Sequence, residues 1–256
     1  MKAFTEFSNP AKFEALARTV SPYAFGVFLV AGAIGLAVSL FFSPPDYQQG
    51  NAVRVMYVHV PAAWMATIAY TFLAAMSAIA FVWRHNVADV AARAAALPGA
   101  VFTALALFTG AIWGKPTWGA WWVWDARLTS VLVLLFVYIG YMAVWRSMTD
   151  KARAARFARI VALVGFINIP IIKFSVDWWN SLHQPASIIR AGGPSVDGSM
   201  LTPLVTMLIA YTAFFVWLVL TGVRAELISV RRDARFRRAP RSVSTVRTVE
   251  GAVSDA

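Results

Sequence analysis

An all-α membrane protein with six transmembrane helices is the fold class this sequence predicts, and three observations carry the prediction. The 256-residue chain is 59% hydrophobic and only 14% charged, too apolar for a surface that faces water everywhere. It holds six charge-poor runs near the roughly 20 residues that a helix needs to cross a hydrocarbon layer about 30 Å thick. Its positive charge is segregated among the segments that join those runs.

The first run covers 22–43, the second 60–83 and the third 94–114, none interrupted by a charge. The fourth, 128–145, and the sixth, 201–223, are equally clean. Thr202-Pro203 reads as the start of the sixth, because proline at the first helical position loses no hydrogen bond. The fifth, 160–173, is short. Spanning there requires Arg159 and Lys173 to extend their charged ends toward the two interfaces, with Asn168 and Pro170 kinking the helix. No cleavable leader is expected, since Glu6 and Glu14 precede the first run and no A-x-A site follows it. The absence of cysteine excludes disulfides, thiolate metal sites and the C-x-x-C-H signature of covalent cofactor attachment, so metal chemistry falls to His and carboxylates.

With six spans both termini share a side, and the bases identify it. Of the 23 Lys and Arg residues, one face takes 18: three in the N-terminal tail, Arg84 and Arg93, five in 146–159 and eight in the C-terminal tail. The other face has Arg54, Lys115, Arg127, Lys173 and Arg190. Positive charge is retained on the cytoplasmic side, which places both termini there and turns the loops 44–59, 115–127 and 174–200 outward. The net charge of +11 is therefore juxtamembrane and gives no reason to expect a nucleic-acid partner. Residues 1–230 read as one membrane domain. The basic tail 231–256 lacks helical periodicity and is expected to be disordered or to rest on anionic lipid head groups.

Five of the eleven tryptophans fall within the twelve residues that end at Trp124, inside the stretch WGKPTWGAWWVWDARLTS between the third and fourth helices. An interfacial aromatic belt would spread such rings around all helix ends. Here Trp118, Trp121, Trp122 and Trp124 crowd one outward loop, the first three at spacings that place them on one face of a short helix. Such a platform suits a planar aromatic ligand with anionic edges, and haem is that kind of molecule. Asp125 precedes the fourth helix and is expected to cap its free N–H groups. Arg127 reads either as an interfacial base or as a partner for a carboxylate. His59, in YVHVPAAWM, and His183, in LHQPAS, fall on the same outward face and suit axial ligation of haem iron. His85 lies at the cytoplasmic end of the second helix, where a base complements the helix dipole.

The run WGAWWVWDARLTS, with YVHVPAAWM and LHQPAS, resembles the tryptophan-rich signature of the cytochrome c maturation protein C (haem exporter protein C) family over about residues 10–225. Haem lyases with the same Trp-Asp core have proline after the Asp, where this chain has Ala126. The resemblance implies that haem b, as non-covalent and transient cargo, is held at the periplasmic face of a bacterial inner membrane between the aromatic loop and residues matching His59 and His183. From there it passes to a membrane-anchored periplasmic haem chaperone. It also implies an ABC-type ATPase with its membrane subunit, and a small single-span protein, as partners.

Two other classes fit less well. A b-type haem redox protein needs axial histidines inside its helices, and none falls mid-span. A haem transporter or channel needs a polar path, and the runs offer only Asn168 with scattered Ser and Thr. No paired carboxylates, Ser-His-Asp set or phosphate-binding glycine loop is present, so a carrier is expected and not an enzyme. Trp118, Trp121 and Trp122 are expected to hold the ligand, and Asp125 and Arg127 to serve hand-off or loop positioning more than binding.

Overall fold

The computed structural model describes residues 8–179, 181–183, 188, 192–193 and 196–238, with the side chains of 230, 231 and 233–238 left aside. Among the described residues there is no strand, and six segments are long and apolar enough to cross a membrane. They are built from α1 (Pro10–Ala37), α2 (Met56–Trp83), α3 (Asn86–Trp118), α4 (Ala126–Ser147), α5 (Lys151–Gly165), α6 (Asn168–Trp178) and α7 (Gly198–Arg238). α5 and α6 together make one span. The all-α, six-span class expected from the sequence is the one observed.

α1 starts at Asn9, whose side chain accepts the Ala11 N–H at 2.9 Å, with Pro10 in the first turn where its missing N–H costs nothing. It packs on α7 through Phe28 stacked on Phe214 at 4.5 Å and Phe25 on Trp217 at 4.9 Å. Gly35 permits the close approach, since a Cβ there would lie 2.7 Å from Met207 Sδ. Its other face leaves Tyr23, Val27, Val30 and Ile34 exposed, as lipid requires.

The core lies between α2 and α3. Small side chains on α3, including Ala91, Ala92, Ala95 and Ala96, are buried and let the helices approach, as in membrane bundles generally. Two tyrosines then lock the bundle from inside. Tyr138 on α4 donates to the Ala66 carbonyl of α2 at 3.0 Å, and Tyr70 on α2 donates to the Ala162 carbonyl of α5 at 3.1 Å. Their rings meet edge-on at 5.0 Å. Gly99 and Gly165 make the room, because a Cβ at either would overlap one of the tyrosine hydroxyls.

Several expected boundaries move, each for a local reason. α3 begins eight residues before the charge-free run, because its bases and acids find partners: Asp89 pairs with Arg159 of α5 at 2.9 Å, and Arg93 pairs with Glu226 of α7. Arg93 also lies 4.7 Å from the Trp145 ring of α4. Arg159 thus serves an ion pair within the bundle, where extension to an interface was expected. His85 takes on a role beyond the end of α2. Arg84, at φ 52, ends that helix in the left-handed region, and His85 caps α3 by accepting the Ala88 N–H through Nδ1 at 3.0 Å. The fifth span kinks as expected: the helix breaks after Gly165, Asn168 donates to the Ser130 carbonyl at 2.8 Å, and Pro170 falls in the first turn of α6. α7 starts at Gly198, not at Thr202-Pro203, because Asp197 accepts the Ser199 N–H at 2.9 Å. It runs through Val223 to Arg238, so the basic stretch opens as helix, and 239–256 lie outside the described residues.

Candidate functional site

The start of α2, the end of α3, the start of α4 and the end of α6 meet at one end of the bundle, and each brings part of the site there. α3 ends at Trp118. Gly119 takes φ 78 and its N–H returns to the Lys115 carbonyl at 3.0 Å, a left-handed cap that glycine adopts without strain. The short helix expected to carry Trp118, Trp121 and Trp122 on one face is therefore not formed: Trp118 closes α3, and the other two follow on a non-helical loop. Trp121 and Trp124 are 59% and 75% exposed, which leaves their ring faces open. Trp122 is half-buried and meets Trp124 edge-on at 5.4 Å.

Asp125 caps α4, as expected, by accepting the Leu128 N–H at 2.8 Å through Oδ1. Its second oxygen does more. Oδ2 accepts from Ser181 Oγ at 2.5 Å and from His183 Nδ1 at 2.8 Å. Burial disfavours the carboxylate charge, yet the bonds from Ser181, Leu128 and His183 outweigh it and hold Asp125 below its ordinary pKa. Burial also lowers the His183 pKa, and Asp125 only partly offsets it. The pair at neutral pH is a carboxylate and a neutral imidazole, with Nδ1–H tied and the Nε2 lone pair left over. Trp118 packs edge-on against the same imidazole at 4.8 Å.

His59 sits in the first turn of α2 and is fixed in a parallel way from α3. Thr109 Oγ1 donates to the Leu105 carbonyl at 2.7 Å, so toward His59 Nδ1, at 3.1 Å, it accepts. His59 Nε2 therefore also keeps its lone pair. Trp113 meets the ring edge-on at 5.6 Å and is itself held by Gln49, which accepts the indole N–H at 2.8 Å. Gly110 keeps the ring seated, since a Cβ there would come within 3.0 Å of His59 Cε1.

Arg127 fits neither expected role simply: it is half-buried and donates through Nε to Ser175 on α6 at 3.2 Å, tying α4 to the second half of the fifth span. Thr109, Trp113, Gln49 and Ser181 were not among the expected site residues. Thr109 lies one helical turn before Trp113 on α3, and Ser181 two residues before His183, the position of a local hydroxyl turn. Those spacings are visible in the sequence but common, so only the fold gives them meaning.

Two imidazoles with free Nε2 atoms cannot by themselves fill a metal's coordination sphere, and among the described residues no group of three or more His, Cys, Asp or Glu could. The arrangement suits a metal that brings its other ligands with it, beside the indoles of Trp113 and Trp118. The model of the family described as heme exporter protein C matches residues 3–238. Heme exporter protein C of Bradyrhizobium diazoefficiens is 52% identical over 226 residues, 88% of this chain and 86% of its own length. The protein of that name from Escherichia coli is 43% identical over 203 residues, 79% of this chain and 82% of its own. A mitochondrial protein of Marchantia polymorpha, named as ccmC-like in cytochrome c biosynthesis, is 46% identical over 196 residues, 77% of this chain and 79% of its own. With matches of this length on a six-span fold, the chain belongs to the heme exporter protein C family.

Proposed function

We propose that this protein binds haem b non-covalently through His59 and His183 and presents it, at the periplasmic face of the bacterial inner membrane, to a membrane-anchored haem chaperone in c-type cytochrome assembly. The observation that carries the reading is the pair of imidazoles, each tied at Nδ1 and each with Nε2 free, beside Trp113 and Trp118. When bound, haem supplies the iron and its four equatorial nitrogens. The chain would supply His59 and His183 to the iron and the indoles of Trp113 and Trp118 beside them. Residues 1–230 do this work, and the basic tail from Arg231 is accessory. Nothing in the site transforms the cargo, so the protein carries and presents. The free energy for release enters from partners, an ABC-type ATPase with its membrane subunit, beside a small single-span protein.

The visible spectrum of the detergent-purified protein tests the holding step. His59→Ala and His183→Ala should each convert a six-coordinate haem spectrum to a five-coordinate one or lower the haem retained, while His85→Ala, at the opposite end of the bundle, should change neither. Loss of the spectrum in His85→Ala alone would sink the assignment.

The outward orientation rests on the 18-to-5 distribution of bases. A cysteine placed at Thr117, which is exposed beside the tryptophans, should react with an impermeant thiol reagent in intact cells. One placed at the exposed Thr149 should react only after lysis. The reverse pattern would put the site on the wrong side for a periplasmic chaperone.

A further inference from the structure

We infer that the two axial bonds offered by this site are unequal, the His183 bond being the stronger and the His59 bond the one an incoming ligand replaces first. The inference rests on the haem reading above and adds to it which face of the iron opens.

Both imidazoles give their Nδ1–H away, but to different acceptors. His183 gives it to Oδ2 of Asp125 at 2.8 Å, and that carboxylate is also bound by Ser181 Oγ and the Leu128 N–H. His59 gives it to the Thr109 hydroxyl at 3.1 Å, and that acceptor is neutral. A hydrogen bond to an ionised acceptor is roughly twice as strong as one between neutral groups. It draws the Nδ1 proton outward and raises the basicity of the nitrogen opposite, so a carboxylate-backed imidazole is the better donor to a metal. The difference is built from separate elements of the fold. Asp125 belongs to the start of α4, whereas Thr109 lies within α3.

Carbon monoxide added to the reduced, haem-loaded, full-length protein in detergent reads the difference directly, because it replaces the weaker ligand and its vibrations report the ligand left opposite. In the wild type the Fe–C and C–O stretching frequencies should coincide with those of His59→Ala and differ from those of His183→Ala. Carbon monoxide should also half-saturate His59→Ala at a concentration lower by about tenfold or more, since no ligand has to leave. Wild-type frequencies that match His183→Ala, or that show both patterns, would overturn the inference, as would identical frequencies in the two variants. If neither alanine variant retains haem, Asp125→Asn decides: its adduct should differ from the wild-type one, and an unchanged adduct would place carbon monoxide opposite His59 and reverse the order. A reduced wild type that is not six-coordinate before carbon monoxide is added would overturn the haem reading itself, and this inference with it.

Discussion

Asp125→Asn should take His183 off the iron without unfolding the protein. Asparagine caps a helix as well as aspartate does, so its Oδ1 can keep the Leu128 N–H bond that starts α4. The other end of the side chain changes from an acceptor to an NH2 donor. It then faces Ser181 Oγ and His183 Nδ1, and His183 can satisfy it only by accepting at Nδ1 and carrying its proton on Nε2. An imidazole in that tautomer has no lone pair for a metal. The expected result is a five-coordinate spectrum and a haem affinity lower by about 10–100-fold, with the melting temperature within a few degrees of wild type. Asp125→Ala should show the same spectral change plus about 1 kcal/mol of lost stability from the missing cap. An Asn variant with the wild-type spectrum would mean that the carboxylate only shapes the loop. Sequence reasoning gave Asp125 a part in hand-off and loop positioning more than in binding, and on the haem reading the bond to His183 would give it a share in holding as well.

The second large effect is expected at the opposite end, and on stability. Asp89→Ala leaves Arg159 with its guanidinium among helices, and the pair is largely enclosed, 16% and 22% exposed. Removing one partner of a fully buried pair costs about 3–5 kcal/mol. Residual access to solvent reduces the expectation here to about 1–3 kcal/mol. Denaturant or thermal unfolding of the detergent-solubilised protein measures it, and the exchanged pair Asp89→Arg with Arg159→Asp should recover part of the loss. The haem spectrum should stay unchanged, because the ion pair and the imidazoles lie at opposite ends of the spans. A spectral change without a stability change would contradict the structural role.

Spans were legible in the sequence because lipid imposes a one-dimensional rule, about 20 apolar residues in a row, that needs no knowledge of neighbours. Helix ends were not. Asp89 and Arg93 look like the edge of a helix until their partners, Arg159 and Glu226, are seen 70 and 133 residues away. The site divides in the same way. Residue types and the side of the membrane could be argued from His59, His183 and the tryptophans, and the cap at Asp125 from its place before an apolar run. What would fit the histidines for ligation is their backing groups, and these come from distant elements: Thr109 is 50 residues from His59, and Asp125 is 58 from His183. The expected helical platform failed over a single residue, since the spacing of Trp118, Trp121 and Trp122 is helical and Gly119 between them is not.

The partnership of α1 with α7 sets an order on biosynthesis. Of the six spans α1 is made first, and its main partner is made last. Its aromatic face must therefore wait among lipid tails while the spans between them are inserted, and the bundle stays open on that side until α7 arrives. Contacts so distant along the chain are late and slow to form. In the bilayer that delay is tolerable, because the waiting face of α1 is as compatible with lipid as with Phe214 and Trp217.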